Sequence, residues 1–329
     1  MNAFDIQIQA DSSVPKFQQL VDLIVDGVSD GRLSPGDILP SVNHIYYETG
    51  LARGTIVKAL DELKRRGIVE SVPNKGYFVA RENPRVLLLL DTLRPFKQVI
   101  YDGIRDYLPD NVEVNMFFHH YNLKLMEEIL QGAAGRYSAY IIMAWEDAEM
   151  SSILAKVDPK KVVIFDYVNP AWGDFSYVVQ EFEKSLFDNL KSSVNEIRKY
   201  DSFTFVCPDS ANHPLVAKKA FTDFCSAYNI NGSVSDDLGD NIRKRAFLVV
   251  DDKHLIELVK RTREAGFKTG SDIGIISFND YAMKEVLEGG ITVISPDFDK
   301  MAKLIANSIK NREKIRSLVE PKVLMRNSL

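Results

Sequence analysis

The stretch that decides the fold of the N-terminal part is residues 39–79, LPSVNHIYYETGLARGTIVKALDELKRRGIVESVPNKGYFV. Ser41 suits the N-cap of a short helix that ends at Gly50. Apolar residues at helical spacing then predict a longer helix from about Gly54 to Arg66. Beyond it the period changes to two, and two short apolar runs flank a turn, which is typical of a β-hairpin. The stretch therefore predicts two helices joined by a tight turn and followed by a hairpin.

Charge is unevenly distributed over this part of the chain. The whole protein has 329 residues and a formal net charge of −5. Residues 1–52 contain two basic and seven acidic side chains, whereas residues 53–81 contain seven basic and three acidic ones. Because phosphate groups are bound by positive charge, we expect any nucleic-acid contact to lie in the second stretch.

A third helix is predicted before this stretch. It opens at Pro15 and carries an apolar stripe that stops near Gly31. With it in place, the N-terminal part resembles the GntR family of winged helix-turn-helix regulators in the order and spacing of several short motifs. These motifs are Pro15-Lys-Phe17, Gly31-Arg-Leu-Ser-Pro-Gly36, Leu39-Pro-Ser41, Arg53-Gly-Thr55, Lys58-Ala-Leu60, Gly67-Ile and Gly76-Tyr-Phe-Val79.

The resemblance implies that the second helix, the third helix and the tip of the hairpin, or wing, contact DNA. An arginine at the start of a recognition helix can donate two hydrogen bonds to guanine, and Arg53 has that position. Asn43 and Val57 stand where the family often has arginine; Asn43 could instead read adenine. The implied DNA-binding residues are Ser41, Asn43, Arg53, Gly54, Thr55, Lys58, Lys75 and Gly76.

The rest of the chain follows a different pattern. After a polar joint at residues 82–85, apolar strand candidates alternate with amphipathic helix candidates, which indicates parallel sheets covered on both faces. The predicted strands are 86–91, 112–118, 139–145, 162–167, 203–207, 246–251 and 274–278. The predicted helices are 96–107, 123–131, 182–199, 214–228, 254–265 and 298–310. We therefore predict a multidomain chain with a DNA-binding domain at 1–81, a linker at 82–85 and an α/β effector domain at 86–329.

Polar and aromatic residues follow the predicted strands, where ligands bind in sheets of this kind. Carboxylate and amide oxygens suit sugar hydroxyls, and an aromatic ring suits the apolar face of a sugar. The predicted ligand-binding residues are Asp91, Phe96, Trp145, Asp166, His213, Asp251, Asn279 and Asp280. Helix capping is the alternative role for Asp166 and Asp252, and burial in the core is the alternative for Phe96 and Trp145.

This second part resembles the sugar-binding domain of the LacI and periplasmic-binding-protein group, whose type I fold has two Rossmann-like lobes. The matching pieces are Val249-Val-Asp-Asp252, residues 265–280, Ile291-Thr-Val-Ile-Ser-Pro-Asp297 and Met325-Arg-Asn-Ser328. The resemblance implies sugar contacts at Asp166, Asp251 and Asn279. A GntR head on such a domain resembles regulators of monosaccharide operons such as those for fucose or arabinose.

The expected function is that of a transcriptional repressor whose DNA binding is controlled by a small sugar, without catalytic residues, cofactor or metal site. The expected partners are operator DNA with an inverted repeat and a second copy of the chain. Neither a signal peptide nor a long apolar run is evident, so we expect a cytoplasmic protein without a membrane partner. The alternatives are a doubly wound sugar-modifying enzyme with an accessory DNA-binding head, and an architectural DNA binder. Against the enzyme, the sequence has no Gly-x-Gly-x-x-Gly, Walker or Gly-x-Ser-x-Gly motif.

Overall fold

The computed structural model describes residues 6–9, 11–72, 75–80, 84–134 and 136–329. Residues 82 and 83 of the predicted linker, and residues 73 and 74 of the predicted hairpin turn, therefore lie outside the described residues.

The N-terminal domain consists of three helices and a two-stranded sheet, as predicted. Its elements are α1 (Lys16–Ser29), α2 (Val42–Thr49), α3 (Arg53–Arg65), β1 (Val69–Val72) and β2 (Gly76–Val79). The Ser41 hydroxyl caps α2 by accepting a hydrogen bond from the His44 N–H at 3.1 Å. Gly50 ends α2 in the left-handed conformation, with φ +69°, which glycine adopts without strain. Ala52 precedes α3 and gives it no side-chain cap.

A shared apolar core explains why these short elements hold together. Leu20, Ile24, Ile45, Ile56 and Leu60 are buried completely or nearly so, one or two from each of the three helices. β1 and β2 pair antiparallel, and Ile38 makes a further bridge to Phe78. Strand β2 is therefore also paired with the segment between α1 and α2.

The remainder of the chain forms two lobes, each built on a six-stranded sheet. The first sheet has the order β13-β7-β6-β5-β3-β4, with every neighbouring pair parallel. Its strands are β3 (Arg85–Leu90), β4 (Glu113–Phe118), β5 (Ala139–Met143), β6 (Val162–Asp166), β7 (Ser176–Gln180) and β13 (Arg316–Val319). The helices of this lobe are α4 (Pro95–Tyr107), α5 (Leu123–Ala133), α6 (Met150–Leu154) and α12 (Phe298–Asn311).

The second sheet has the order β14-β12-β11-β10-β8-β9 and is parallel except for the β12–β14 pair. Its strands are β8 (Ser202–Val206), β9 (Gly232–Ser235), β10 (Arg245–Val249), β11 (Ile273–Phe278), β12 (Thr292–Ser295) and β14 (Lys322–Leu324). The helices of this lobe are α7 (Lys184–Ser192), α8 (Val194–Ile197), α9 (Leu215–Tyr228), α10 (Asp252–Glu264) and α11 (Ala282–Val286).

The chain passes between the lobes three times, after β7, after β12 and after β13. The second passage brings α12 back onto α4, where the rings of Phe96 and Phe298 stack with centroids 5.0 Å apart. Two lobes joined by three connections enclose a cleft between them, and such a cleft can open and close about the connections.

The structure confirms the alternating pattern and corrects its details. The predicted helix 182–199 is two helices, α7 and α8, divided at Ser193. Five strands were not predicted, namely β7, β9, β12, β13 and β14, each only three to five residues long. Strands of three or four residues, such as β9, β12, β13 and β14, give too few alternations for the sequence pattern to show. Within the described residues no helix is long and apolar enough to span a membrane.

Candidate functional site

A cavity of about 390 Å³ lies between the two lobes, within the usual range for small-molecule sites. The first lobe contributes residues that follow β3, β4, β5 and β6, and the second contributes residues that follow β8. Lining residues from the first lobe include Asp91, His119, Tyr121, Trp145, Glu146 and Asp166. Those from the second lobe include Pro208, Asp209, Asn212, His213, Leu215 and Lys218.

Asp91 is fully occupied by its own neighbours. Its carboxylate accepts hydrogen bonds from the Thr92 N–H and the Tyr121 hydroxyl, and it forms a buried ion pair with Lys97. The Lys97 ammonium also donates to the Thr92 carbonyl at 2.9 Å. Because the Tyr121 hydroxyl gives its proton to Asp91, its oxygen is left as an acceptor at the cavity wall. Asp91 thus orients Tyr121 and neutralises a buried lysine.

Asp166, at the end of β6, has a free carboxylate oxygen. Its backbone has φ +75°, a conformation in which aspartate and asparagine are over-represented. Gln180 at the end of β7 donates to Oδ1, whereas Oδ2 receives no hydrogen bond from the described residues. Burial raises the pKa of this carboxyl, and the charges of Lys97 and Arg94 oppose the rise. Asp166 can therefore accept a hydrogen bond from a ligand.

An aromatic wall stands beside the two aspartates. The rings of His119 and Trp145 stack with centroids 4.6 Å apart, and Tyr121 meets Trp145 edge-on at 5.6 Å. The His119 Nδ1 accepts from the Tyr121 N–H at 3.1 Å, so its Nε2 carries the proton and donates to the Met143 carbonyl at 2.8 Å. Burial lowers the pKa of His119 to about 4, and the ring is neutral at pH 7. His119 is thus a fixed support for the Trp145 indole.

His213 faces this wall from the second lobe. Its ring packs among three phenylalanines, with centroids 5.5 Å from Phe182, 6.2 Å from Phe205 and 4.7 Å from Phe278. The Nε2 atom is buried and has no hydrogen-bond partner among the described residues. Burial, with the charges of Arg94 and Lys218, lowers the pKa of His213 to about 3. A buried polar atom without a partner is costly, so Nε2 is a candidate for a hydrogen bond with a ligand.

Four of the eight predicted ligand-binding residues line this cavity: Asp91, Trp145, Asp166 and His213. The other four lie outside its lining. Phe96 is buried against Phe298. Asp251 caps α10 by accepting from the His254 N–H at 2.9 Å.

The remaining two of these four follow β11. Asn279 has φ +64°, and its carbonyl accepts from the buried Lys284 ammonium at 3.0 Å. Asp280 pairs through both oxygens with Arg326, at 2.8 and 2.7 Å. Helix capping was the alternative role for Asp166 and Asp252. The structure gives this role to Asp251, which caps α10. Asp252 forms an ion pair with Lys284 at 3.3 Å.

Several residues of the site were not predicted. Lys97 is buried in the first turns of a helix, where a lysine in the sequence indicates an exposed face. Tyr121 follows β4 in a left-handed turn, φ +57°, beyond the strand end that the pattern marks. Gln180 belongs to a strand that was itself missed. Of these three residues, only Tyr121 could have been found from the sequence. It lies three positions past a predicted strand, and ligands bind at the carboxyl ends of parallel strands.

The N-terminal domain presents a second candidate surface at the start of α3. The Arg53 Nε donates to the Asn43 Oδ1 at 3.2 Å, and its guanidinium lies 4.9 Å from the centre of the Tyr46 ring. Lys75 and Gly76 are exposed at the hairpin turn, and Gly54 is exposed beside Arg53. Asn43, Tyr46 and Arg53 thus form one surface across the turn between α2 and α3.

The other predicted DNA-binding residues have mixed surroundings. The Ser41 hydroxyl is used to cap α2. Thr55 is half-buried. The Lys58 ammonium lies 4.2 Å from the centre of the Phe17 ring on α1, which directs it away from Asn43 toward the first helix. Among the described residues, no cluster of three or more His, Cys, Asp or Glu side chains could hold a metal ion.

Two family profiles match the chain. Residues 16–79 match the bacterial regulatory proteins of the gntR family, and residues 198–328 match the periplasmic binding protein-like domain. The first range covers the three helices and the hairpin, and the second covers the second lobe from β8 onward with the segments α12 and β13 of the first lobe.

Several curated regulators and repressors are similar to part of this chain. The HTH-type transcriptional repressor YtrA of Bacillus subtilis is 31% identical over 101 residues, which are 31% of this chain and 77% of YtrA. An HTH-type transcriptional regulator of Mycobacterium tuberculosis is 34% identical over 79 residues, 24% of this chain and 65% of that protein. The arabinose metabolism transcriptional repressor of Geobacillus stearothermophilus is 26% identical over 115 residues, 35% of this chain and 32% of the repressor. The chain thus spans less than two thirds of two of these relatives.

Among solved structures, the trehalose repressor from Escherichia coli superposes with a TM-score of 0.63 at 11% sequence identity. The match covers 74% of this chain and 100% of that chain. It shows that the two-lobed domain has the same fold as that repressor chain. With an N-terminal domain of the gntR type in front of it, the chain belongs to the GntR family of bacterial transcriptional regulators.

Proposed function

We propose that this protein is a transcriptional repressor whose affinity for operator DNA is set by a monosaccharide bound in the cavity between the lobes. In this proposal residues 1–81 bind DNA, residues 82–85 link the domains, and residues 86–329 bind the sugar and a second copy of the chain. The observation that carries it is a pair of polar atoms on opposite lobes, Asp166 Oδ2 and His213 Nε2, to which the described residues give no hydrogen bond.

The chemistry of the cavity suits a small polyol. Asp166 accepts a hydrogen bond from one hydroxyl, the Tyr121 oxygen accepts one from another, and a neutral imidazole at His213 either donates or accepts a hydrogen bond. The Trp145 indole offers a flat apolar surface of the kind that packs against a sugar ring. A ligand that bonds both lobes favours the closed cleft over the open one, because only the closed form makes both sets of contacts.

The similar proteins support the proposal that this chain is a transcriptional regulator and that its effector is a sugar. The names of two relatives refer to sugars, arabinose in one repressor and trehalose in the other. The enzyme alternative finds no support among the relatives, which are regulators. Fucose, arabinose and galactose are the first monosaccharides to test.

DNA binding in this proposal uses the surface around Arg53. With Nε held by Asn43, the two terminal guanidinium nitrogens are left to donate to one guanine, and Lys75 and the Gly76 N–H contact phosphate. Two copies of the chain place two such surfaces on the half-sites of an inverted repeat.

The test is fluorescence anisotropy of the purified full chain on labelled DNA from upstream of its own gene, titrated with a monosaccharide panel. The proposal expects salt-dependent DNA binding and one sugar that changes the affinity at least tenfold, about 1.4 kcal/mol of coupling. If the protein binds DNA but no sugar alters the affinity, the proposal of a sugar effector is wrong. If the protein does not bind DNA, the proposal of a transcriptional repressor is wrong.

A further inference from the structure

Several groups of the cavity wall accept hydrogen bonds. Asp166 Oδ2 and the Tyr121 oxygen lie on the first lobe, and Glu146 adds an exposed carboxylate. The Lys218 ammonium, a donor in the lining, is already paired with Asp209 at 2.9 Å. A ligand oxygen that carries no hydrogen, such as the ring oxygen of a sugar or an anionic oxygen, needs a donor instead.

Arg94 has such donors and no partner for them. It follows β3 and precedes α4 with an extended backbone, and its side chain is half-buried. The guanidinium makes no hydrogen bond or ion pair with any of the described residues, and it does not cap α4. Its five N–H donors and its permanent positive charge are therefore available to a ligand.

Arg94 lies close to the cavity walls of both lobes, although it is outside the lining itself. Burial raises the pKa of Asp166 and of Tyr121, and the charge of Arg94 opposes both rises. Burial lowers the pKa of His213 on the second lobe, and the charge of Arg94 lowers it further. Because such effects weaken with distance, a guanidinium that acts on all three groups lies at the cleft between the lobes.

The second lobe presents donors of its own at the start of α9. Pro214 and Leu215 line the cavity, and α9 begins at Leu215 without a side-chain cap. The Ala217 N–H donates to the Pro214 carbonyl at 3.0 Å, whereas the Leu215 N–H has no acceptor among the described residues. His213 directly precedes this helix start, and its buried Nε2 also lacks a partner among the described residues. Free N–H groups at a helix start carry partial positive charge and bind oxygen atoms of ligands.

We propose that Arg94 and the start of α9 bind the ligand from opposite lobes and donate to ligand oxygens that carry no hydrogen. Such an oxygen is the ring oxygen of a neutral sugar or an anionic oxygen of a phosphorylated or carboxylated one. This inference rests on the proposed sugar-binding function and adds hydrogen-bond donors to the acceptors already described. Since Arg94 is outside the lining, its contact with the ligand forms as the cleft closes, and the ligand then stabilises the closed form.

Isothermal titration calorimetry of the full chain tests Arg94. The ligands are three neutral sugars, L-fucose, L-arabinose and D-galactose, and two anionic ones, D-galactose 1-phosphate and D-galacturonate. Arg94→Gln should weaken the binding of the tightest ligand at least tenfold. This variant should fold, because the Arg94 side chain neither caps α4 nor pairs with a described residue. Arg105→Gln, an exposed position on α4, is the matched control and should leave the affinity unchanged.

Arg94→Lys distinguishes the two kinds of ligand oxygen. Lysine keeps the positive charge and loses the forked arrangement of donors. With a neutral sugar, Arg94→Lys should lose as much affinity as Arg94→Gln. With an anionic ligand, Arg94→Lys should retain part of the affinity, and the wild-type affinity should fall as salt is added.

Two variants at Leu215 test the helix start. Leu215→Pro removes one N–H at a helix position where proline is common. Pro214 already has the extended backbone that a following proline favours, with φ −55° and ψ 133°. Leu215→Ala keeps the N–H and is the control for the lost side chain, which is exposed. Leu215→Pro should bind the ligand severalfold more weakly than Leu215→Ala.

The outcomes separate this inference from the proposed function. If a sugar binds and alters operator affinity but Arg94→Gln binds it as tightly as the wild type, the proposed function stands and the inference fails. Equal affinities of Leu215→Pro and Leu215→Ala overturn the role given to the start of α9. If none of the five ligands binds the wild type, the sugar effector fails and the inference fails with it.

Discussion

The Asn43 side-chain oxygen accepts a hydrogen bond from the Arg53 Nε at 3.2 Å, across the turn that joins α2 to α3. The Tyr46 ring supports the same guanidinium from another side at 4.9 Å. From the sequence, Asn43 and Arg53 were two separate candidates for reading bases. In the structure they form one unit, in which Asn43 positions Arg53 and leaves its terminal nitrogens for a partner.

A double-mutant cycle distinguishes positioning from direct reading. Arg53→Ala should cost about 1–3 kcal/mol of specific operator affinity and leave the melting temperature unchanged, because the side chain is exposed. If Asn43 acts through Arg53, Asn43→Ala should add little in the Arg53→Ala background. The measurement is operator affinity of both single variants and the double variant by fluorescence anisotropy.

The control for this cycle is Arg105→Ala, which removes an exposed arginine from the other domain. Additive losses, together with a changed base preference at a second operator position in Asn43→Ala, would mean that Asn43 reads a base itself.

The buried imidazole of His213 makes stability depend on pH. Its pKa is lowered from 6.5 to about 3, chiefly by burial. Between these values the unfolded chain binds a proton that the folded chain does not, so the free energy of unfolding decreases as the pH falls from about 6.5 toward 3. His213→Phe, which suits the phenylalanine surroundings, should show a shallower decrease than the wild type.

The measurement is urea unfolding of both proteins at intervals from pH 7 to pH 4, with the exposed His44→Gln as control. Parallel curves for wild type and His213→Phe would show that His213 does not resist protonation in the folded state.

The C-terminal residues complete the second lobe. The Ser328 hydroxyl is fully buried, donates to the Ile275 carbonyl at 2.6 Å and accepts from the Thr292 N–H at 2.8 Å. Ser328→Ala leaves both backbone groups without this partner, which should lower the free energy of unfolding by about 1–3 kcal/mol. Urea unfolding checks this against Ser192→Ala, an exposed serine in α7. Equal, small effects of the two substitutions would contradict the role given to Ser328.

What the sequence reveals of this protein depends on how far apart the interacting residues lie. Asp166 could be placed at a strand end because its own strand, Val162–Asp166, is apolar and continuous. The pairing of Asp280 with Arg326 joins residues 46 positions apart, and no local pattern shows it. Phe96 illustrates the same limit, since only the packing of α12 on α4 decides that it stacks on Phe298. Lys97 does too, because its burial against Asp91 cannot be read from the helical pattern alone.

Coupling between the domains should depend on a short connection. Insertion of six Gly and Ser residues after Asn83 should leave sugar affinity and DNA affinity intact and abolish the effect of sugar on DNA binding. The control is the substitution Glu82→Ala, which changes the connection without lengthening it. A sugar response that survives the insertion would mean that the domains communicate without this connection, for instance through the dimer.

Sugar binding and operator binding should affect each other equally, and this reciprocity gives the most direct test of the proposed function. If a sugar in the cleft changes operator affinity by a given factor, operator DNA must change sugar affinity by the same factor. Isothermal titration calorimetry of the effector sugar, with the free protein and with the protein saturated with operator, measures this. The account predicts two sugar affinities that differ at least tenfold, in the ratio that anisotropy gives for DNA. Equal sugar affinities in the two titrations would contradict it.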